Sequence, residues 1–170
     1  MYRPTRGVLH IGGGEFSPDR GDRLGYLPEE RGLYHKESVI DVMTHFGTLK
    51  GLDHGSAKTW SLEYLSRVGI ADRATARVDK LSQGQRQKVQ SGVTIMNDPE
   101  LLILDEPTKG SDPVNRRLLM DIIEEQKRAG AAVVMVTDHM EEVERLCDRI
   151  LFLKDGVARA DGAVGDVRWQ

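Results

Sequence analysis

Apolar residues recur at three- and four-residue spacing in three stretches between residues 38 and 97, and this spacing predicts three helices. The predicted helices are Ser38–Leu52, Ser56–Val68 and Ser82–Asn97. Ser38 and Ser82 are the expected N-caps, because a serine hydroxyl accepts a hydrogen bond from an exposed N–H group of the first turn. Together these helices predict a helical lobe over residues 33–96, after a short strand at Leu24–Leu27.

The pattern changes after residue 97, where short apolar runs alternate with helical segments. The runs predict strands at Leu101–Leu104, Ala132–Val136 and Ile150–Leu153. Asp112 followed by proline predicts the start of one helix, and the spacing of Asp138 and Glu141 predicts a capping box at the start of another. Asp155-Gly156 predicts a hairpin turn. Strands alternating with helices are typical of βαβ units, so we expect an α/β fold with a parallel sheet that includes all three runs.

Composition narrows the class of protein. The chain has 170 residues with 24 basic and 27 acidic side chains, and its net charge of −3 argues against a nucleic-acid binder with a basic face. A single cysteine, Cys147, excludes an internal disulfide and fits a reducing compartment. The longest apolar run, Ala131–Val136, is far shorter than the ~20 residues that a membrane span needs. Any membrane-spanning part is therefore expected on another chain.

An acidic pair follows the run at Leu101–Leu104. Asp105 is expected at the carboxyl end of a buried strand, where α/β sheets bind their ligands. A carboxylate there can hold Mg²⁺ through water, and Glu106 can orient or deprotonate an attacking water. The alternative is a buried strand followed by a solvated acidic turn.

Two further segments carry candidate chemistry. Ser82 and Gly84 open a predicted helix, where exposed N–H groups and the positive end of the helix dipole favour an anion. His139 follows the run at Ala132–Val136 and could reach a phosphate or a water. The alternatives are a capped helix with a polar first turn, and an exposed histidine in the first turn of another helix.

In their order along the chain, these motifs resemble those of the ATP-binding subunits of ABC transporters. The matching segments are Gly25–Tyr34 for the Q-loop, Leu81–Gln85 for the signature sequence, Leu101–Glu106 for the Walker B strand with its catalytic glutamate, Gly110–Asp112 for the D-loop and His139 for the switch histidine. Glu29 stands where many members have Gln, as in the branch serving ABC-2 type exporters such as sodium efflux systems. The resemblance covers almost the whole chain.

The resemblance implies a P-loop NTPase-type parallel sheet, the ABC ATPase fold, with an inserted helical lobe. Residues 1–32 would be a remnant of the ATP-binding core that includes the Q-loop region. Residues 33–96 would form a helical subdomain that ends in the signature helix. Residues 97–170 would be the second half of the RecA-like catalytic core.

The resemblance also implies ATP and Mg²⁺ as ligands. Asp105 would hold Mg²⁺ through water, Glu106 would polarise the attacking water and His139 would contact the γ-phosphate. The residues implied to contact the nucleotide of a second ABC ATPase subunit, packed head to tail, are Ser82, Gln83, Gly84, Gln85 and Asp112. Glu29 would couple the site to a membrane-spanning permease subunit. The implied location is cytoplasmic, peripheral on the inner face of the membrane, with no nucleic-acid partner.

The family's phosphate-binding loop, Gly-x-x-x-x-Gly-Lys-Ser/Thr, does not occur in these 170 residues, which contain no Gly-Lys pair. Pro4–Gly7 resembles the segment that follows that loop's helix, which implies a chain that begins just past it. The missing strand and helix would lie at the centre of the sheet. We therefore expect exposed apolar surface near Leu101–Leu104 and Val133–Val136, and a chain that is marginally stable or prone to aggregate.

Two functions stay open. The first is the ATP-hydrolysing subunit of an ABC exporter, here without the segment that carries the phosphate-binding loop and not expected to hydrolyse ATP alone. The second is a catalytically inactive module that presents Leu81–Gln85 to an intact partner, or a degraded gene product. ABC-type ATPases of chromosome maintenance or translation are disfavoured, because only a short helical lobe separates Tyr34 from Leu81 and the chain holds one cassette.

Overall fold

The computed structural model describes residues 6–8, 10–11, 14–15, 23–29, 32–34 and 36–166. The elements in chain order are β1 His10–Ile11, β2 Gly14–Glu15, β3 Leu24–Leu27, α1 Val39–Leu49, α2 His54–Arg67, α3 Gln83–Ile95, β4 Leu101–Asp105, α4 Pro113–Arg128, β5 Ala132–Val136, α5 Met140–Leu146, β6 Arg149–Lys154 and β7 Val157–Ala163. Pro4, Thr5 and two residues of the Q-loop segment, Glu30 and Arg31, lie outside the described residues.

The three predicted helices are present as α1, α2 and α3. Ser38 caps α1 by accepting a hydrogen bond from the backbone N–H of Asp41. The second helix begins two residues before the predicted Ser56, because Asp53 accepts the Ser56 N–H and is the N-cap. Ser82 caps α3 in a full capping box with Gln85. Local capping chemistry therefore sets all three starts.

The helical lobe packs directly against the sheet through α3. At Gly25 in β3, an added Cβ would lie 2.5 Å from the Leu102 side chain and 2.6 Å from the backbone oxygen of Thr94 in α3. Only a glycine lets the helix approach β3 this closely. The last turn of α3 is thereby held in a fixed position relative to the strands.

The central sheet has three parallel strands in the order β3-β4-β5. Leu24–Leu27 pairs with Leu101–Leu104, and Asp105 lies beside Val136 of β5. The carboxyl ends of parallel strands share one edge of the sheet, so the residues that follow β3, β4 and β5 meet there. These are the predicted site residues Glu29, Glu106 and His139.

Two predictions in the last third of the chain are wrong. In the part of the chain that the structure describes, the run Ile150–Leu153 does not join the parallel sheet: β6 pairs with β7 as an antiparallel hairpin. Its turn, Asp155-Gly156, has φ angles of 53° and 73°, the geometry that matches the twist of a two-stranded hairpin, so the β6 backbone bonds to β7. The predicted capping box at Asp138 is also absent, because His139 is the N-cap of α5.

The predicted exposed surface is clear on β5 and only partial on β4. Leu102 and Leu104 are buried beside residues of α3 and α4, whereas Leu101 and Ile103, on the other face of β4, are half-buried. Val134 and Val136 are 53% and 55% exposed, and among the described residues β5 pairs only with β4. Within the described ranges, no helix combines the length and the hydropathy that crossing a bilayer requires.

Candidate functional site

The structure brings Glu106 and His139 together at the edge where β4 and β5 end. Asp138 lies beside them. One carboxylate oxygen of Glu106, one of Asp138 and one ring nitrogen of His139 all lie within 4.8 Å of one another. Glu106 and His139 are half-buried, whereas Asp138 is exposed. Two residues separated by more than thirty positions in sequence meet because their strands are neighbours in a parallel sheet.

The backbone holds Glu106 in a fixed but uncommon conformation. Its φ is +47°, and its N–H donates to the carbonyl oxygen of Val136 over 2.9 Å. Burial, and then the negative charge of Asp138, raise the pKa of the Glu106 carboxyl above its usual value. The positive charge of Lys109 acts in the opposite direction. A carboxylate with a raised pKa beside an imidazole is suited to accepting a proton from water.

Asp105 is the last residue of β4 and is half-buried. It is not one of the three residues whose ligand atoms converge. Carboxylate oxygen is nevertheless the donor that Mg²⁺ prefers, and Mg²⁺ commonly keeps several waters between itself and the protein. The donor chemistry at the end of β4 therefore fits the predicted Mg²⁺, with Asp105 acting through water.

The Leu81–Gln85 segment lies against the start of α4. A Cβ added to Gly84 would lie 2.5 Å from the side-chain nitrogen of Asn115, so the absence of a side chain at position 84 is what allows this approach. Asp112 caps α4 by accepting the N–H groups of Val114 and Asn115, and these hydrogen bonds lower its pKa. The predicted nucleotide-contacting residues Gln83, Gly84 and Asp112 therefore form one surface.

The loop of residues 106–112 connects this surface to the Glu106–His139 pair. At one end of the loop Gly110 has a φ of +69°, and a Cβ there would lie 2.5 Å from the Gln83 side chain. Gln87 is buried beneath the loop: its amide nitrogen donates to the Pro107 carbonyl, and its amide oxygen accepts from the Ser111 hydroxyl. One buried side chain of α3 thus fixes both ends of a five-residue stretch.

Glu29 forms an ion pair that the sequence analysis missed. Its carboxylate lies 2.6 Å from the ammonium of Lys109, and the hydrogen bond raises the pKa of Lys109. Both side chains are about half exposed, so the pair contributes little to stability. It does connect the segment after β3 to the loop of residues 106–112.

Sequence analysis also missed a buried polar group around Glu142. This glutamate shares the buried side of α5 with Val143 and Leu146. The signal was present in the sequence, since an acidic residue on the apolar stripe of a short helix needs buried partners. Those partners are Thr108 and Thr137, on the two loops of the site.

Comparison with known proteins identifies the fold and the family. The family model for the ABC transporter matches residues 1–109. An ABC transporter ATP-binding protein of Methanocaldococcus jannaschii is 44% identical over 146 residues, which are 85% of this chain and 55% of that protein. The linearmycin resistance ATP-binding protein of Bacillus subtilis is 34% identical over 95% of this chain and 53% of its own length. The chain thus spans just over half the length of these relatives.

A solved structure agrees at the level of the fold. It is a dimeric ATP-binding cassette in a post-hydrolysis state with ADP and Pi bound, and it superimposes with a TM-score of 0.84 over 96% of this chain and 75% of that chain. The identity of 22% shows the fold alone. The α/β fold with a parallel sheet and a helical lobe is confirmed, and with the matches in sequence it follows that the chain belongs to the ABC transporter family, among its ATP-binding proteins.

Proposed function

We propose that this chain is part of the ATP-hydrolysing subunit of an ABC exporter, with residues 33–96 as its helical subdomain. In this proposal Glu106 polarises the attacking water, His139 contacts the γ-phosphate and Asp105 holds Mg²⁺ through water. ATP supplies the phosphoryl group that is transferred to water. The observation that carries the proposal is the meeting of Glu106 and His139 at the carboxyl ends of two neighbouring parallel strands.

A second ATP-binding subunit and a membrane-spanning permease are the proposed partners. The residues proposed to contact the second subunit's nucleotide are Ser82, Gln83, Gly84, Gln85 and Asp112. Residues 82–85 lie at the N-terminus of α3, where N–H groups and the helix dipole favour a phosphate, and Asp112 lies at the N-terminus of α4. These positions support the role. Glu29 is proposed to couple the site to the permease, which would place the chain on the cytoplasmic face of the membrane. Export is supported by the resistance function in the name of the Bacillus subtilis relative.

Hydrolysis at this chain's own site requires a Gly-x-x-x-x-Gly-Lys-Ser/Thr segment, because backbone N–H groups and the lysine of that segment bind the phosphates. The test therefore joins such a segment to the chain in frame. We expect Mg-ATP hydrolysis, and we expect Glu106→Gln to lower kcat by about 100-fold or more while ATP binding changes little.

Glu144→Gln is the matched control, since Glu144 is an exposed glutamate of the neighbouring helix α5. It should leave kcat unchanged. If Glu106→Gln retained more than half of the native kcat, Glu106 would not polarise the water and the proposed mechanism would be wrong.

We propose as a second function that the chain presents Leu81–Gln85 to a partner that has its own phosphate-binding loop. It is favoured by the surface that Gly84 forms with Asn115 and Asp112, which the described residues build by themselves. The test mixes the chain with an ATP-binding subunit whose own signature serine is replaced by arginine. A gain of hydrolysis that Ser82→Arg abolishes, and that Ser66→Arg on the exposed side of α2 preserves, would support this function. A gain that survives Ser82→Arg would exclude it.

A further inference from the structure

Glu142 stands apart among the charged side chains that the structure describes, because it is 1% exposed. It lies on α5, one turn after His139, and neither of the proposed functions uses it. A buried ionisable side chain persists only where hydrogen bonds replace the water that it has lost. The partners of Glu142 therefore indicate why it is there.

Each carboxylate oxygen of Glu142 accepts one hydroxyl proton. Thr108 Oγ1 donates to Oε1, and Thr137 Oγ1 donates to Oε2 over 3.1 Å. Thr137 Oγ1 also accepts the backbone N–H of His139 over 3.1 Å. Because a carboxylate oxygen only accepts, the proton of the Thr137 hydroxyl points to Glu142, and the hydroxyl oxygen is left to accept the N–H of His139.

The two threonines lie on the two loops of the site. Thr108 is two residues after Glu106, and its carbonyl accepts the N–H of Ser111 over 2.9 Å within the loop of residues 106–112. Thr137 is two residues before His139. The carboxylate of Glu142 is therefore a bridge between the loop that carries Glu106 and the loop that carries His139.

We propose that Glu142 is a positioning residue: by binding Thr108 and Thr137 at once, its buried carboxylate fixes Glu106 and His139 relative to each other. The inference rests on the proposed function, in which this pair acts on ATP. A purely structural role predicts something different. Losing the carboxylate would then weaken the packing of α5 without a specific effect on the two loops.

The first test measures amide hydrogen exchange in the full 170-residue chain without nucleotide. We expect Glu142→Ala to speed exchange at the N–H groups of Ser111 and His139 by about tenfold or more, while Val89 in α3 changes less than about twofold. Glu142→Gln keeps one carbonyl acceptor and should restore most of the protection. Glu144→Ala, an exposed change on the same helix, should have no effect. Uniform acceleration across the chain, equal effects of Ala and Gln, or no acceleration at the two amides would each overturn the proposal.

The second test changes a partner of the buried acid and compares the effect with and without Glu142. Thr108→Val removes one hydroxyl at nearly constant volume, and the readout is the NMR signal of the His139 ring. We expect Thr108→Val to shift this signal in the native chain and to have no further effect once Glu142→Ala is present. Equal shifts in both backgrounds would show that the link does not pass through Glu142, and the proposal would be wrong.

Both readouts are made without ATP, so they separate two kinds of failure. If the loops are linked through Glu142 but Glu106→Gln leaves hydrolysis intact in the joined protein, the proposed mechanism is wrong and the link stands. If hydrolysis depends on Glu106 but the two loops respond independently, the positioning role is wrong and the mechanism stands.

Discussion

Glu106 combines a positive φ with a raised pKa at one position. A φ of +47° is uncommon for a residue with a side chain, and such conformations concentrate at functional sites. Here the hydrogen bond from the Glu106 N–H to the carbonyl oxygen of Val136 holds the backbone in place. The conformation directs the chain sharply away from β4, into the loop of residues 106–112.

The raised pKa of Glu106 predicts a pH-dependent gain in stability from Glu106→Gln. In the folded chain the protonated carboxyl is favoured, so the contribution of Glu106 to stability is greatest at low pH and is lost as the pH rises through the raised pKa. Replacing Glu106 with Gln, which stays neutral at every pH, removes this loss of stability. Urea unfolding should therefore show a larger free energy of unfolding for Glu106→Gln at pH 7 and a smaller difference at pH 4, below the ordinary carboxyl pKa of 4.5. A difference independent of pH would contradict this account.

At the scale of elements, capping and hydrophobic spacing were enough to predict α1, α3, α4, β4 and β5 to within a few residues. These signals are local, because a cap and its apolar stripe lie within one helix. No local signal gave the pairing of β6. The same apolar run can belong to a parallel sheet or to a hairpin, and only the strand with which it pairs distinguishes the two. The links made by Gln87, Lys109 and Glu142 were missed for the same reason, since each joins residues far apart in sequence.

Helix α3 contains two buried glutamines that should respond oppositely to the same change. Gln87 donates to Pro107 and accepts from Ser111, whereas the side-chain oxygen of Gln90 is buried without a partner among the described residues. Gln87→Leu leaves the Pro107 carbonyl unpaired and should lower the free energy of unfolding by about 1–3 kcal/mol. Gln90→Leu removes an unpaired oxygen and should be neutral or stabilising. Urea unfolding of both variants measures the contrast, and equal losses would refute it.

At the scale of the whole molecule, the exposed side of β5 is a liability. Among the described residues one edge of β5 pairs with no strand, and such an edge beside exposed Val134 and Val136 is a template on which another chain can form hydrogen bonds. The resemblance predicted exposure here because it implies a further strand in the sheet. The motifs could not show that Leu102 and Leu104 of β4 stay buried, since that depends on how α3 and α4 pack on them.

A charge on this edge should reduce self-association. We expect Val134→Lys to lower the fraction of oligomer, because a lysine on an edge strand opposes pairing with a second chain. Leu49→Lys is the control: Leu49 is similarly exposed, at 65%, but lies at the end of α1. Sedimentation velocity over a range of concentrations would compare the two variants. If Leu49→Lys reduced oligomers as much as Val134→Lys, general solubility and not the edge of β5 would be the cause.

The pairing of β3 with β4 also sets the order in which the chain can fold. Leu24 lies beside Leu101, 77 residues later, whereas Leu101 and Ala132 of β5 are 31 residues apart. Closing the longer loop costs more conformational entropy, and long-range pairing is slow. The helical lobe lies inside that loop, and its contacts are more local, so it can form first and bring the two strands near each other. Refolding should then recover most of the helical signal before β3 joins the sheet, and variants that weaken the lobe should slow the later step.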